Sequence, residues 1–271
     1  MLKQKHIWLI AGFVILLISA MVFMFLDSRK LHQKINQSQA TTLTQQQSPA
    51  PSKASALAAV TAPLPVSERL KGADLSHWDG TIDWVALKKT DLKFLFIKAT
   101  QGTTYIDPDF EDNWQTAANY GFYRGAYHFY QPNEDAKAQA EHFLSVVKHQ
   151  KGDILPVLDI EIAHGVSPQA LGKDIGIWLE TVKSSIGRYP IIYTDSPFWN
   201  ESIDGNFSQY PLWIATWDQG IPPNLPKGWQ RWMFWQYSST GSIPGIPDAR
   251  GKVDLDYFYG NEESLRSHLI R

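Results

Sequence analysis

Eight short apolar segments recur between residues 72 and 255, and this recurrence leaves the chain very few architectures. They fall at 72–76, 94–99, 123–129, 155–160, 190–194, 212–216, 233–237 and 252–255. Three amphipathic stretches separate the second to fifth of them. The clearest opens at Ser167-Pro168, an N-cap followed by proline at the first helical position, where its missing N–H is not needed. Leu171, Ile175, Trp178, Leu179, Val182 and Ile186 then recur at helical spacing until Gly187 stops the run. Phe110, Trp114 and Ala118 mark a second helix, and Ala136, Ala140, Phe143, Leu144 and Val147 a third. Connections in the second half are too short for a full helix after each strand. Strands alternating with helices predict a parallel sheet with right-handed crossovers. The expectation is an α/β fold: a modified (β/α) barrel of about eight strands, with fewer or shorter helices in its second half.

The fourth segment, Ile154-Leu-Pro-Val-Leu-Asp-Ile-Glu161, carries most of the chemistry. Side chains on a strand alternate faces, so Leu155, Val157, Asp159 and Glu161 share one face. Two carboxylates emerging from an apolar run are costly unless a site uses or pairs them. Paired acids are also what cleaves glycosidic bonds. In β/α barrels the chemistry sits at the C-terminal strand ends. That rule adds Asp74 from the first strand and, from the last, Asp254, with Asp256 in the same phase and expected to be structural. Tyr127, Tyr193, Trp217 and Gln236 stand at other strand ends. His77 and His128 fit hydrogen-bonding roles better than direct chemistry.

The chain of 271 residues divides unevenly in charge. Residues 1–70 carry seven Lys/Arg against two Asp/Glu, and residues 71–271 carry 18 against 25. The acidic larger part argues against nucleic acid as a partner. Ten of the eleven tryptophans lie in it, flat faces that suit sugar rings as well as cores. Residues 7–26 form an uncharged run of 20, long enough to cross a bilayer and long for a cleaved signal peptide. It predicts a membrane anchor over 1–30; Lys/Arg on both flanks leave its orientation open, and a domain working outside the cytoplasm would place the N-terminus in the cytoplasm. Residues 31–70, rich in Gln, Ser, Thr, Ala and Pro, predict a flexible tether. Residues 71–271 then form the catalytic domain, expected to be monomeric and outside the cytoplasm. No cofactor or metal site is expected: there is no cysteine and no metal-ligand His spacing.

Six segments in order resemble glycoside hydrolase family 25, the CH-type lysozymes or N-acetylmuramidases. They are Gly72-Ala-Asp-Leu-Ser-His-Trp78, Phe96-Ile-Lys-Ala-Thr-Gln-Gly102, Arg124-Gly-Ala-Tyr-His-Phe129, Leu155-Pro-Val-Leu-Asp-Ile-Glu161, Trp235-Gln-Tyr-Ser238 and Val253-Asp254. The resemblance implies hydrolysis of the β-1,4 bond between N-acetylmuramic acid and N-acetylglucosamine in peptidoglycan glycan strands. It matches Glu161 to the general acid, Asp159 to its partner, and Asp74 and Asp254 to acids of the same cleft. Lys98, Tyr127, Tyr193, Trp217 and Gln236 are the expected substrate-binding residues. One departure is plain: Gln101 stands where the family usually has Glu, removing a charge near Lys98.

For Glu161, burial and a neighbouring like charge predict a raised pKa, which suits a general acid. Asp159, two residues away on the same face, is poorly placed to be a nucleophile from the opposite side. The expected route is therefore attack by the substrate's own 2-acetamido oxygen, with Asp159 polarising its N–H. A chitinase-type pattern would need acids at Ile154 and Val157 and is disfavoured. An inactive wall-binding module and a metal-dependent hydrolase are the remaining alternatives.

Overall fold

A computed structural model describes residues 69–217, 223–247 and 252–271. The predicted anchor and all but the last two residues of the predicted tether lie outside the described residues. Among the described residues, no helix is long and apolar enough to cross a membrane.

Nine strands form one sheet: β1 (Leu70–Leu75), β2 (Leu92–Gln101), β3 (Tyr105–Ile106), β4 (Tyr123–Phe129), β5 (Val157–Asp159), β6 (Ile191–Asp195), β7 (Leu212–Ala215), β8 (Phe234–Gly241) and β9 (Val253–Phe258). Pairing of β1 with both β9 and β2 closes eight of them into a barrel, with the short β3 hairpinned onto β2. The helices are α1 (Trp84–Leu87), α2 (Phe110–Asn119), α3 (Ala136–Val146), α4 (Pro168–Ile186), α5 (Ser196–Ser202) and α6 (Glu262–Ser267). The expected barrel with a helix-poor second half is what forms. In α4 the signals act as read: Ser167 Oγ accepts from Ala170 N, and Gly187 takes the left-handed φ of 73°. In α2 the buried alanine is Ala117 rather than Ala118.

One expectation needs correcting. The sheet is not wholly parallel, because β9 runs antiparallel to both β8 and β1. The physical reason is connection length. A parallel return needs a crossover of roughly a dozen or more residues, usually a helix. Only the segment between Gly241 and Val253 is available, and the strand folds back instead.

Two apolar layers follow from the period of two along each strand. Phe94, Phe96, Val157, Ile191, Trp213 and Phe234 point into the barrel. Ile97, Leu158, Ile192 and Ile214 point outward beneath the helices, where they meet Trp178 and Leu179 of α4. The interior is aromatic and tight: Phe96 stacks on Trp213 with centroids 4.1 Å apart. Gly72 and Gly125 make room for these rings. A Cβ on Gly125 would lie 2.6 Å from Phe96, and one on Gly72 would overlap the Phe94 ring. Gly72→Ala is therefore expected to cost about 1–3 kcal/mol by overpacking. For a domain of this size that is a fall in Tm of roughly 2–4 °C per kcal/mol. An unchanged thermal melt would show that Phe94 has space to move.

Candidate active site

Several interior rows of side chains change from apolar to polar as they reach one end of the barrel. Phe94 and Phe96 give way to Lys98 on β2, and Val157 to Asp159 on β5. Ile191 gives way to Tyr193 on β6, and Phe234 to Gln236 on β8. The polar ends line one open cleft of about 670 Å³. Asp74, Asp159, Glu161 and Asp254 all face it. So do Lys98, Tyr127, Tyr193, Trp217 and Gln236. Every residue expected at the site thus shares one hollow.

Asp254 is there for a reason opposite to the one expected. Because β9 is reversed, its N-terminal end reaches the mouth, and Asp254 pairs in register with Asp74 of β1. Asp256 lies one step deeper, fully buried, accepting from Trp213 Nε1 at 2.8 Å. Asp74 and Asp256 are both pushed well above the usual carboxylate range, first by burial and then, among other neighbours, by the charge of Asp254. Gln236 is the hub of this side. Its Nε2 donates to Asp74 Oδ2 at 2.9 Å, while its Oε1 accepts from Tyr193 Oη and Trp217 Nε1, each at 2.9 Å. Its amide therefore orders the wall, with both polar atoms engaged by protein.

On the facing side, Asp159 is 5 % exposed and its Oδ1 has no hydrogen-bond partner among the described residues. Its carboxyl hydrogen-bonds that of Glu161, which stands open to the cleft one step further out. Burial raises both groups. The charge of Glu161 raises Asp159 further, whereas the hydrogen bond with Asp159 lowers Glu161, against the expected like-charge effect, and Asp195 raises it. Asp195 is a neighbour that sequence inspection missed, hidden as the N-cap of α5, where it accepts from Phe198 N. With Asp159 buried and Glu161 beside it, ionising both is disfavoured, and one proton stays on the pair.

Lys98 supplies the nearby cation. Burial lowers its pKa, and Asp159, Asp107 and Glu161 oppose that. Its Nζ donates to Gln101 Oε1 at 3.0 Å and lies 4.8 Å from the Phe129 ring centroid. Gln101 thus keeps a hydrogen bond to the lysine while leaving its charge to the acid pair. Ser76, Trp78, Phe129, Trp213, Ser239 and Lys252 complete the lining and were not among the expected site residues. Trp213 was legible in principle, lying in phase with Trp217. The histidines stand apart. His128 faces outward, held by Thr100 and Gln139 and stacked on Trp178, with burial lowering its pKa to about 3. His77 is anchored by Asp107 at 2.7 Å. Among the described residues no group of three or more His, Cys, Asp or Glu could hold a metal ion.

An acid pair on one strand end, faced by further carboxylates and aromatic rings, is equipped to protonate a glycosidic oxygen. The family model of glycosyl hydrolases family 25 matches residues 73–246, from β1 across the cleft. The chain belongs to that family. Lysozyme M1 of Streptomyces globisporus is 37 % identical over 209 residues, covering 72 % of this chain and 70 % of that protein. YegX of Escherichia coli strain K12 is 38 % identical over 209 residues, 75 % of each chain. A bacterial lysozyme crystal structure from Streptomyces coelicolor superposes with a TM-score of 0.68 at 35 % identity, covering 73 % of this chain and 95 % of that one. As a family 25 member, the chain is a glycoside hydrolase.

The buried acids also set how this family 25 domain responds to pH. Asp74, Asp159 and Asp256 have folded-state pKa values raised above their unfolded ones. Their contribution to stability is present in full below the unfolded carboxylate range and is lost as pH rises through the folded values. Thermal stability is expected to rise as pH falls from 8 to 5. Asp256→Asn, which keeps an acceptor for Trp213, should flatten that slope and raise Tm at pH 8 by about 2–4 °C. A lower Tm for the variant at pH 8 would contradict the assignment.

Proposed function

We propose that the chain is a muramidase that cleaves the β-1,4 bond between N-acetylmuramic acid and N-acetylglucosamine in bacterial peptidoglycan. The observation that carries this reading is the Asp159–Glu161 pair, hydrogen-bonded side by side and opening onto a cleft with exposed tryptophan. Carboxyls that touch one another do not flank a bond from opposite sides, as a covalent-nucleophile mechanism requires. The 2-acetamido oxygen of the muramyl ring serves as nucleophile instead.

The single shared proton gives the sequence of events. Substrate docks with its acetamido N–H donating to the Asp159 carboxylate, which lines the cleft. That donor favours the Asp159 carboxylate and leaves the proton on Glu161. Glu161 protonates the leaving oxygen as the acetamido oxygen closes on the anomeric carbon, forming an oxazolinium and releasing the N-acetylglucosamine end. Water then opens the ring, giving its proton back to Glu161. Asp74 and Asp254 orient the sugar and that water. The lysozymes among the relatives support the substrate class. An inactive wall-binding module is the weaker reading, since all four carboxylates are retained. Mass spectrometry of fragments released from purified peptidoglycan by the full chain tests it: new reducing-end N-acetylmuramic acid is expected, and reducing-end N-acetylglucosamine alone would reject it.

The location rests on sequence alone. The uncharged run at 7–26 holds the domain to a membrane, with the N-terminus inward because a wall-cleaving domain must face outward, and the tether lets it reach adjacent wall. Membrane fractionation with protease accessibility checks this, and a freely soluble full-length chain would refute it.

A further inference from the structure

The opposite end of the barrel carries a second hollow, of about 250 Å³. Leu155, Leu212 and Met233 line it, residues at or just before the starts of β5, β7 and β8, whose far ends reach the cleft. Arg188, Arg231 and His268 converge on it from the turn after α4, the segment before β8 and the end of α6. No aspartate or glutamate is among its lining residues. The reaction scheme above uses none of them.

The cations of this hollow lack counter-charges. Arg188 donates from Nη1 to the Leu269 carbonyl oxygen at 3.3 Å, and neither it nor Arg231 pairs with a carboxylate among the described residues. Glu180, which accepts from Tyr210 Oη at 2.6 Å, is already paired with Lys183. Burial and then the charges of both arginines lower the pKa of His268, so both guanidiniums bear on its ring. Like charges gathered in one hollow repel, and an anion seated among them reverses the sign of that energy. Ser208 and Gln209 add neutral donors. The frame is also pre-set. Trp229 Nε1 donates to the Tyr210 carbonyl oxygen at 2.8 Å, and Tyr189 packs edge-on against Tyr210. Arg69 lies 5.1 Å from the Trp232 ring centroid, a third guanidinium behind the wall.

Donors from three separate segments suit the tetrahedral spread of phosphate oxygens better than a planar carboxylate, which a single arginine fork satisfies. The apolar share of the lining calls for an organic group beside the anion. That group is small, since the volume lies below the roughly 300–1,000 Å³ of drug-sized sites. We propose that this hollow binds the phosphate of a small phosphate ester, the chemistry shared by free glycerol phosphate and a glycerophospholipid headgroup. The chain enters the domain at this end, since Arg69 precedes β1 and lies over the Trp232 ring. With the anchor proposed above, lipid headgroups are the source closest to hand; the hollow itself does not depend on that anchor.

The test uses the full chain in micelles of a neutral, phosphate-free detergent. Calorimetric titration with glycerol phosphate should give saturable binding, and acetate at equal ionic strength should give none. Arg231→Gln removes an exposed side chain that has no ion-pair partner to lose, so its Tm should be unchanged. It should weaken binding by about tenfold or more, the range for one charge-assisted hydrogen bond. Bound ester should also raise the His268 pKa in an NMR titration, because it offsets two neighbouring cations. Doping the micelles with phosphatidylglycerol separates the two sources. Slowed hydrogen exchange at 208–212 and 229–233, lost in Arg231→Gln, assigns a lipid headgroup. Unchanged exchange there, beside binding of the soluble ester, assigns a free ester. No response to either probe, equal binding of acetate, or an Arg231→Gln chain that binds like wild type overturns the site. None of these readouts involves glycan cleavage, so failure here leaves the muramidase reading standing.

Discussion

Glu161→Gln is expected to lower release of muropeptides by roughly 10²–10⁴-fold, the range for loss of a positioned general acid. The amide keeps the shape and can still hydrogen-bond Asp159, but it has no proton to give to the leaving oxygen. Circular dichroism and Tm should be unchanged, because Glu161 stands open to the cleft and the amide keeps its size. Fragment release within tenfold of wild type, from a protein of unchanged fold, would remove Glu161 from the reaction and with it the shared-proton mechanism.

Asp159→Asn should produce a loss of about 10²–10³-fold by a different route. The Asn carbonyl can still accept from the acetamido N–H, but it carries no charge to stabilise the forming oxazolinium. It also no longer shares a proton with Glu161. The dependence on the substrate's own nucleophile sharpens the test. A glycan in which the 2-acetamido group is replaced by hydroxyl should be cleaved no faster by wild type than by Asp159→Asn. Ready cleavage of that substrate by wild type, with the usual loss in the variant, would instead make Asp159 a direct participant at the anomeric carbon.

The acid pair was legible because a strand has a period of two. Once 154–161 is read as a buried strand, Asp159 and Glu161 must share a face; β5 itself is shorter, Val157–Asp159, but the alternation continues on either side of it, with Leu155 and Val157 inside and Leu158 and Ile160 outside. The helix at 168–186 was equally legible, since its cap, its apolar stripe and its terminating glycine are local signals. Asp195 was not legible as a neighbour of Glu161. It lies 34 residues away, on the next strand, and its sequence context is that of a helix cap. Gln236 was expected to meet substrate, yet its amide is engaged by Tyr193, Trp217 and Asp74, three partners from three other parts of the chain.

Sequence alone determined which residues are in phase along each strand, because alternation depends only on backbone geometry within a few residues. That was enough to name the acids, the barrel and, with six ordered motifs, the resemblance to the family. Only the tertiary structure decided direction and neighbourhood. Asp254 reaches the mouth because β9 turns back and presents its first residues there, a consequence of a connection too short for a parallel crossover. Which carboxylates crowd one another, and hence how their protons are held, follows from closing eight strands around one axis. No stretch of chain carries that information by itself, since electrostatic coupling depends on distance through space.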